Sequence, residues 1–244
     1  MNVKVCVLKT DGTNCDAETV FAFKQAGAQV DLVTLYQLKQ KKELLHRYNI
    51  LALPGGFSYG DDIASGKLFA LELLLFLKDE LQKFVEDKKL IMGICNGFQI
   101  LVKMGLLPFH TLEQQQVTLT DNLSGKFECR WVDMVVQKSN CVFTKSLEGK
   151  TITLPIAHAE GRFFTDELVA QQVLEQQMVP LTYEGLNPNG SLNNIAGLCD
   201  ASGRVFGLMP HPERFIKKEH LPQWRRNNVI PWGNSFFKDA VNYF

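Results

Sequence analysis

The sequence predicts an α/β fold: an open, mainly parallel sheet with helices on both faces, and a mixed or antiparallel extension in its second half. Three observations carry this. Short apolar runs alternate with helical patterns through the first hundred or so residues, which implies a parallel sheet covered on both sides. From about residue 127 strand-like runs follow one another with few helices between. Several apolar runs also stop abruptly at glycine or proline, as buried strands do where they leave a sheet.

The elements follow in order. Residues 3–8 read as the first strand, and 16–27 as a helix with Val20 and Phe23 on its buried side and Gly27 at its stop. Residues 30–34 and 50–53 are further strands. Residues 67–85 form a strongly apolar helix through Leu71, Leu74, Leu75, Leu81 and Phe84. A strand at 90–94 and a helix marked by Ile100, Leu101 and Met104 come next. Strands are then expected at 127–136, 151–156, 181–183, 195–199 and 204–209, with a closing helix at 234–243.

The chain has 244 residues, 45% of them apolar, enough for a substantial core. Dividing by about 150 residues per domain gives a prior of one to two. No linker, repeat or low-complexity run interrupts it, so residues 1–244 are expected to form one domain. Formal charge is zero, from 26 basic and 26 acidic residues, so no general field favours nucleic acid or an acidic membrane. No apolar run approaches the roughly 20 residues that span a bilayer. Met1-Asn2-Val3-Lys4 leads straight into a strand without a signal-peptide pattern. Of the six cysteines none forms a Cys-x-x-Cys pair, and no histidine cluster has zinc spacing. Cys6 and Cys199 fall in apolar strand patterns and are expected in the core. No metal is expected, and a reducing, cytoplasmic compartment suits an unpaired reactive thiol.

That thiol is Cys95. In Leu90-Ile91-Met92-Gly93-Ile94-Cys95-Asn96-Gly97-Phe98-Gln99 it sits on the sharp turn between strand and helix, flanked by Gly93 and Gly97. This is the layout of a nucleophile elbow, with Cys in place of Ser. A helix amino end favours the thiolate, the reactive form. A lone Cys beside an apolar strand is more often a small buried hydrophobe, so a second feature has to decide. It lies at Met209-Pro210-His211-Pro212-Glu213-Arg214, directly after another apolar strand. In open α/β sheets ligands bind at that edge. A nucleophile, a base and a group that orients the base make a triad, and Cys95, His211 and Glu213 can fill those roles. Ala157-His158-Ala159-Glu160 offers a second His-x-Glu after a strand, and spacing alone does not choose between the two. Finally, Leu53-Pro54-Gly55-Gly56-Phe57-Ser58-Tyr59-Gly60-Asp61 ends a strand at paired glycines. Backbone N–H groups of Gly56 and Asn96 are assigned to an oxyanion hole, which acyl transfer needs.

Together these segments resemble the class I (triad) glutamine amidotransferases, a family with a flavodoxin-like sheet. Pro-Gly-Gly-Phe-Ser-Tyr-Gly-Asp, Gly-Ile-Cys-Asn-Gly-Phe-Gln, Ala-His-Ala-Glu-Gly-Arg-Phe, Asn-Pro-Asn-Gly-Ser and Met-Pro-His-Pro-Glu-Arg occur in order, from Cys6 to about Phe244. Within the family they are most similar to the glutaminases of purine biosynthesis that feed a synthetase subunit making formylglycinamidine ribonucleotide. The resemblance implies glutamine hydrolysis through a Cys95 thioester and ammonia transfer to that synthetase. An additional small subunit can be part of the assembly. It makes His211 the base and acid, Glu213 its orienting group, and Gln99 a residue that helps hold glutamine. His158 and Glu160 then surround the active site or the ammonia route, while Ser58 and Asp61 keep open roles. No cofactor is implied in this chain; ATP and magnesium belong to the partner, and no Gly-x-x-x-x-Gly-Lys-Ser/Thr loop is present. Residues 215–232, with Lys217, Lys218, Arg225 and Arg226, are longer and more basic than the family pattern. Three alternatives stay open: a glutaminase for another synthase or a γ-glutamyl hydrolase, a Cys peptidase or chaperone-like enzyme, and a non-catalytic regulatory subunit.

Overall fold

The computed structural model describes residues 3–226 and 228–244. Met1 and Asn2, from the expected strand entry, and Asn227, inside the basic stretch, lie outside them.

The described residues build a nine-stranded sheet in the order β2-β1-β3-β4-β11-β10-β9-β6-β7. Here β1 is Lys4–Lys9, β2 Gln29–Thr34, β3 Ile50–Leu53 and β4 Leu90–Ile94. The strands β6 (Glu128–Val136), β7 (Thr151–His158), β9 (Leu181–Tyr183), β10 (Ile195–Cys199) and β11 (Val205–Leu208) complete it. Its first five members in space, β2 to β11, are parallel. The order 2-1-3-4-11 is the flavodoxin-like order with β11 as fifth strand. From β11 onward every pairing is antiparallel. The change of character along the sequence therefore marks a real change in the sheet. Every residue of β3, β4, β10 and β11 is buried, which explains their unbroken apolar runs.

Helices α1 (Asp16–Gln25) and α6 (Gly233–Asn242) pack together, with Phe23 edge-on to Phe237 at 4.8 Å. On the other side α2 (Leu35–Gln40) and α4 (Asn96–Lys103) both pack on α3 (Lys67–Glu86). The buried side of α3 is Phe69, Ala70, Leu73, Leu77, Leu81 and Phe84, whereas Leu71 and Leu75 face solvent. Twenty residues that are mostly apolar all round cannot show by pattern alone which stripe is inward.

Besides α2, three elements were not expected. A two-stranded pair joins β5 (Thr118–Thr120) to β8 (Arg162–Phe164), and α5 (Glu167–Glu175) follows it. The side chain of Asp166 caps α5 by accepting from Val169 N–H at 2.9 Å. Among the described residues no helix is long and apolar enough to cross a membrane.

Candidate active site

Parallel strands deliver their carboxyl ends to one edge, and the chemistry gathers there. β4 lies between β3 and β11, with Leu53 opposite Gly93 and Leu208 opposite Ile94. The next residues after β4 and β11 are therefore neighbours, although 116 positions separate Cys95 from His211. The Cys95 N–H donates to Leu208 O at 2.8 Å and ties the two turns together.

Cys95 has φ 51° and ψ −103°, a strained backbone for a residue with a Cβ, and such strain concentrates at functional turns. It persists because the chain is clamped on both sides. A Cβ at Gly97 would run into the Leu53 carbonyl, and one at Gly93 would lie 2.6 Å from the Gly97 carbonyl carbon. Strand and helix can pass this closely only with glycine at both positions. The thiol is 5% exposed and donates to Ala157 O at 3.7 Å.

His211 starts the single 3-10 turn of Pro212–Arg214, and its N–H donates to Pro155 O at 2.8 Å. Its ring Nδ1 lies 2.6 Å from Glu213 Oε1, and both side chains are almost fully buried. Burial alone would push the imidazole pKa down. The Glu213 carboxylate, then the charge of Cys95, outweigh it and hold it well above its ordinary value. With Nδ1 engaged by Glu213, Nε2 is buried and has no partner among the described residues.

The second histidine separates cleanly. His158 ends β7 and is buried, but Glu160 does not pair with it. Glu160 Oε2 instead accepts from Ser65 N–H at 3.4 Å, and Asn122 Oδ1 lies 3.1 Å from His158 Nδ1. Burial first, and the neighbouring His211 second, lower the His158 pKa to about 4.

The loop after β3 crosses the same edge. Gly56 bridges to Thr13 in the loop after β1, and a Cβ on it would come within 2.7 Å of Asn14 N. Neither the Gly56 nor the Asn96 N–H donates to another group among the described residues. Both donors remain available, as the expected oxyanion hole requires. Gln99 is braced at both ends: Nε2 donates to Glu160 O at 2.6 Å, and Oε1 accepts from Asn96 Nδ2 at 3.1 Å. Ser58 N–H donates to Asn96 Oδ1 at 3.4 Å, and Asp61 accepts from Asn96 Nδ2 at 3.4 Å and from Ser65 Oγ at 3.0 Å. Burial above all raises the Asp61 pKa, with the Glu160 charge adding to it.

Cys15 and Arg214 were given no role in the sequence reading. The Arg214 guanidinium donates to Cys15 Sγ at 2.9 Å, and ligand atoms of Cys15, His211 and Glu213 lie within 4.8 Å of one another. That spacing could suit a cation, but the guanidinium already brings positive charge to the same thiol. Asp11-Gly12-Thr13-Asn14-Cys15 follows β1 directly, so the sheet-edge rule used for Cys95 would have found it. In the basic stretch the Lys217 ammonium lies over Phe21 at 5.0 Å, and the Lys218 and Arg225 side chains flank Trp224.

An elbow cysteine, a carboxylate-held imidazole and unengaged backbone donors at one sheet edge define an amidotransferase-type centre. Residues 2–244 match the model of the CobB/CobQ-like glutamine amidotransferase domain. The subunit PurQ of phosphoribosylformylglycinamidine synthase from Dehalococcoides mccartyi is 41% identical, over 99% of this chain and 97% of its own. The Treponema denticola PurQ is 44% identical over 100% and 99%. In the structure of PurLQS from Thermotoga maritima one chain superposes with a TM-score of 0.80 at 38% identity, covering 100% of this chain and 99% of that one. The chain belongs to this family, the glutaminase subunits of phosphoribosylformylglycinamidine synthase in purine biosynthesis.

Proposed function

We propose that this chain hydrolyses glutamine at Cys95 and passes the ammonia to a synthetase subunit of phosphoribosylformylglycinamidine synthase. What supports the residue roles is one piece of geometry: Cys95 and His211 leave adjacent hydrogen-bonded strands, and Glu213 lies 2.6 Å behind the imidazole.

His211 takes the Cys95 proton, and the sulfur attacks the side-chain carbonyl carbon of glutamine. The oxyanion accepts from the Gly56 and Asn96 N–H groups. His211 then gives its proton to the departing nitrogen, so the C–N bond breaks and ammonia leaves a γ-glutamyl thioester. A water loses a proton to His211, attacks the thioester, and glutamate departs as the thiolate returns. Glu213 holds the imidazole in the tautomer this requires. Gln99, braced by Glu160 and Asn96, helps hold glutamine.

Ammonia released into bulk water becomes ammonium and loses its nucleophilicity, so a sheltered path to the synthetase follows from the chemistry. As the family resemblance implies, an additional small subunit joins the complex. ATP and magnesium are bound by the synthetase, this chain needs no cofactor of its own, and the complex works in the cytoplasm. Cys95→Ala and His211→Ala are tested by glutamate release with the synthetase present. Both are expected to lose turnover, and glutaminase activity persisting in Cys95→Ala overturns the mechanism.

A further inference from the structure

His158 carries a buried acceptor that the protein leaves unused. The residue is 3% exposed. Asn122 Nδ2 donates to His158 O and Lys126 O, both at 2.8 Å, while its Oδ1 accepts from Gly161 N–H at 3.2 Å. With Oδ1 fixed as an acceptor, the proton between it and the imidazole belongs to His158 Nδ1. Nε2 is then a bare lone pair, and it has no partner among the described residues. An unmet buried acceptor carries the cost of its lost hydration.

The position of this lone pair suggests what meets it. The Ala157 carbonyl, one residue earlier, accepts from the Cys95 thiol at 3.7 Å, and Pro155 O holds the His211 backbone. The end of β7 therefore walls the reaction centre. The ring lies close against Gly161, where any Cβ would overlap it. With a pKa near 4 it stays neutral while His211 cycles its proton. A group entering here must offer N–H donors to a neutral acceptor that will not protonate it.

We propose that His158 Nε2 accepts a hydrogen bond from the carboxamide nitrogen of glutamine and from the ammonia that leaves it. His158 is then a catalytic residue of the leaving-group side, orienting the nitrogen that departs. The proposal rests on Cys95 acting as the nucleophile.

A substrate without that N–H separates this role from packing. Glutamate release is measured for the full chain with its synthetase, using L-glutamine and the γ-methyl ester of L-glutamate. Both acylate the same thiol, but the ester's leaving group has no N–H to donate. His158→Leu and His158→Asn, which lack an acceptor at the Nε2 position, are expected to lower kcat/KM for glutamine relative to the ester. The expected drop in that ratio is about fivefold, the worth of one hydrogen bond. His158→Gln, whose amide oxygen can reach that position, is expected to restore most of the ratio. If the Leu variant does not fold, the Asn variant supplies the reading. Equal losses on both substrates overturn the proposal and leave His158 a packing residue. Turnover of both substrates by Cys95→Ala would instead refute the underlying mechanism.

Discussion

Glu213 shows how much one buried carboxylate decides. It is 1% exposed, and Oε1 is engaged with His211 Nδ1. Its charge is the largest influence raising the imidazole pKa against burial. Glu213→Gln keeps the shape and removes the charge. Activity is expected to fall by about a hundredfold or more, since the imidazole loses its fixed tautomer and the stabilisation of its cation. The His211 pKa should also drop. Proton delivery to the leaving nitrogen needs the imidazolium, so the alkaline limb of the pH–rate profile should move to lower pH. A profile of kcat/KM against pH checks both, and an unmoved alkaline limb would mean that Glu213 does not set the His211 charge. At this scale the sequence was legible for residues standing directly after apolar strands: Cys95, His211 and Glu213. It was silent on Arg214 reaching Cys15, because that contact joins loops 199 positions apart.

The elbow is the element that makes the site, and its glycines are steric rather than decorative. At Gly97 the obstacle to a Cβ is the Leu53 backbone carbonyl, the last residue of β3. Neither side can yield, since β3 is hydrogen-bonded to β1 and β4. Gly97→Ala should therefore force α4 away from the sheet. A loss of about 1–3 kcal/mol in stability is expected for such overpacking. Catalysis should suffer more, because displacing α4 also displaces the Cys95 turn and the Asn96 N–H. Thermal unfolding and glutaminase rate together test this; a variant with full activity and unchanged Tm would show that the close passage is dispensable. The inner parallel strands β1, β3, β4 and β11 were readable because burial on both faces writes a nearly continuous apolar run. The pair β5 and β8 was not, since three residues each carry almost no periodicity. The start of α2 did carry a signal: Thr34 and Gln37 form a reciprocal capping box that the sequence spells as Thr-x-x-Gln.

For the whole molecule, the two buried histidines pull stability in opposite directions with pH. The order of the sheet, which brings them together, was the least legible feature, because the β4–β11 pairing spans more than a hundred residues of chain. His211 has a raised folded pKa, so its stabilising contribution is complete below its unfolded value of about 6.5 and is lost as pH rises through the raised value. His158 behaves in reverse. Its folded pKa of about 4 lies below the unfolded one, so the unfolded chain binds a proton that the native ring refuses. Stability therefore falls as pH drops from about 6.5 toward 4, by about 3 kcal/mol at 1.36 kcal/mol per pKa unit. Replacing His158 by Gln removes that term and leaves the titration of His211 in both proteins. Denaturant unfolding of the wild type and His158→Gln at pH 7 and pH 4 isolates it: the wild type should lose about 3 kcal/mol more than the variant over that interval. Parallel losses in the two proteins would mean that His158 charges in the native state as readily as in the unfolded one, and that its ring is not held neutral beside Cys95.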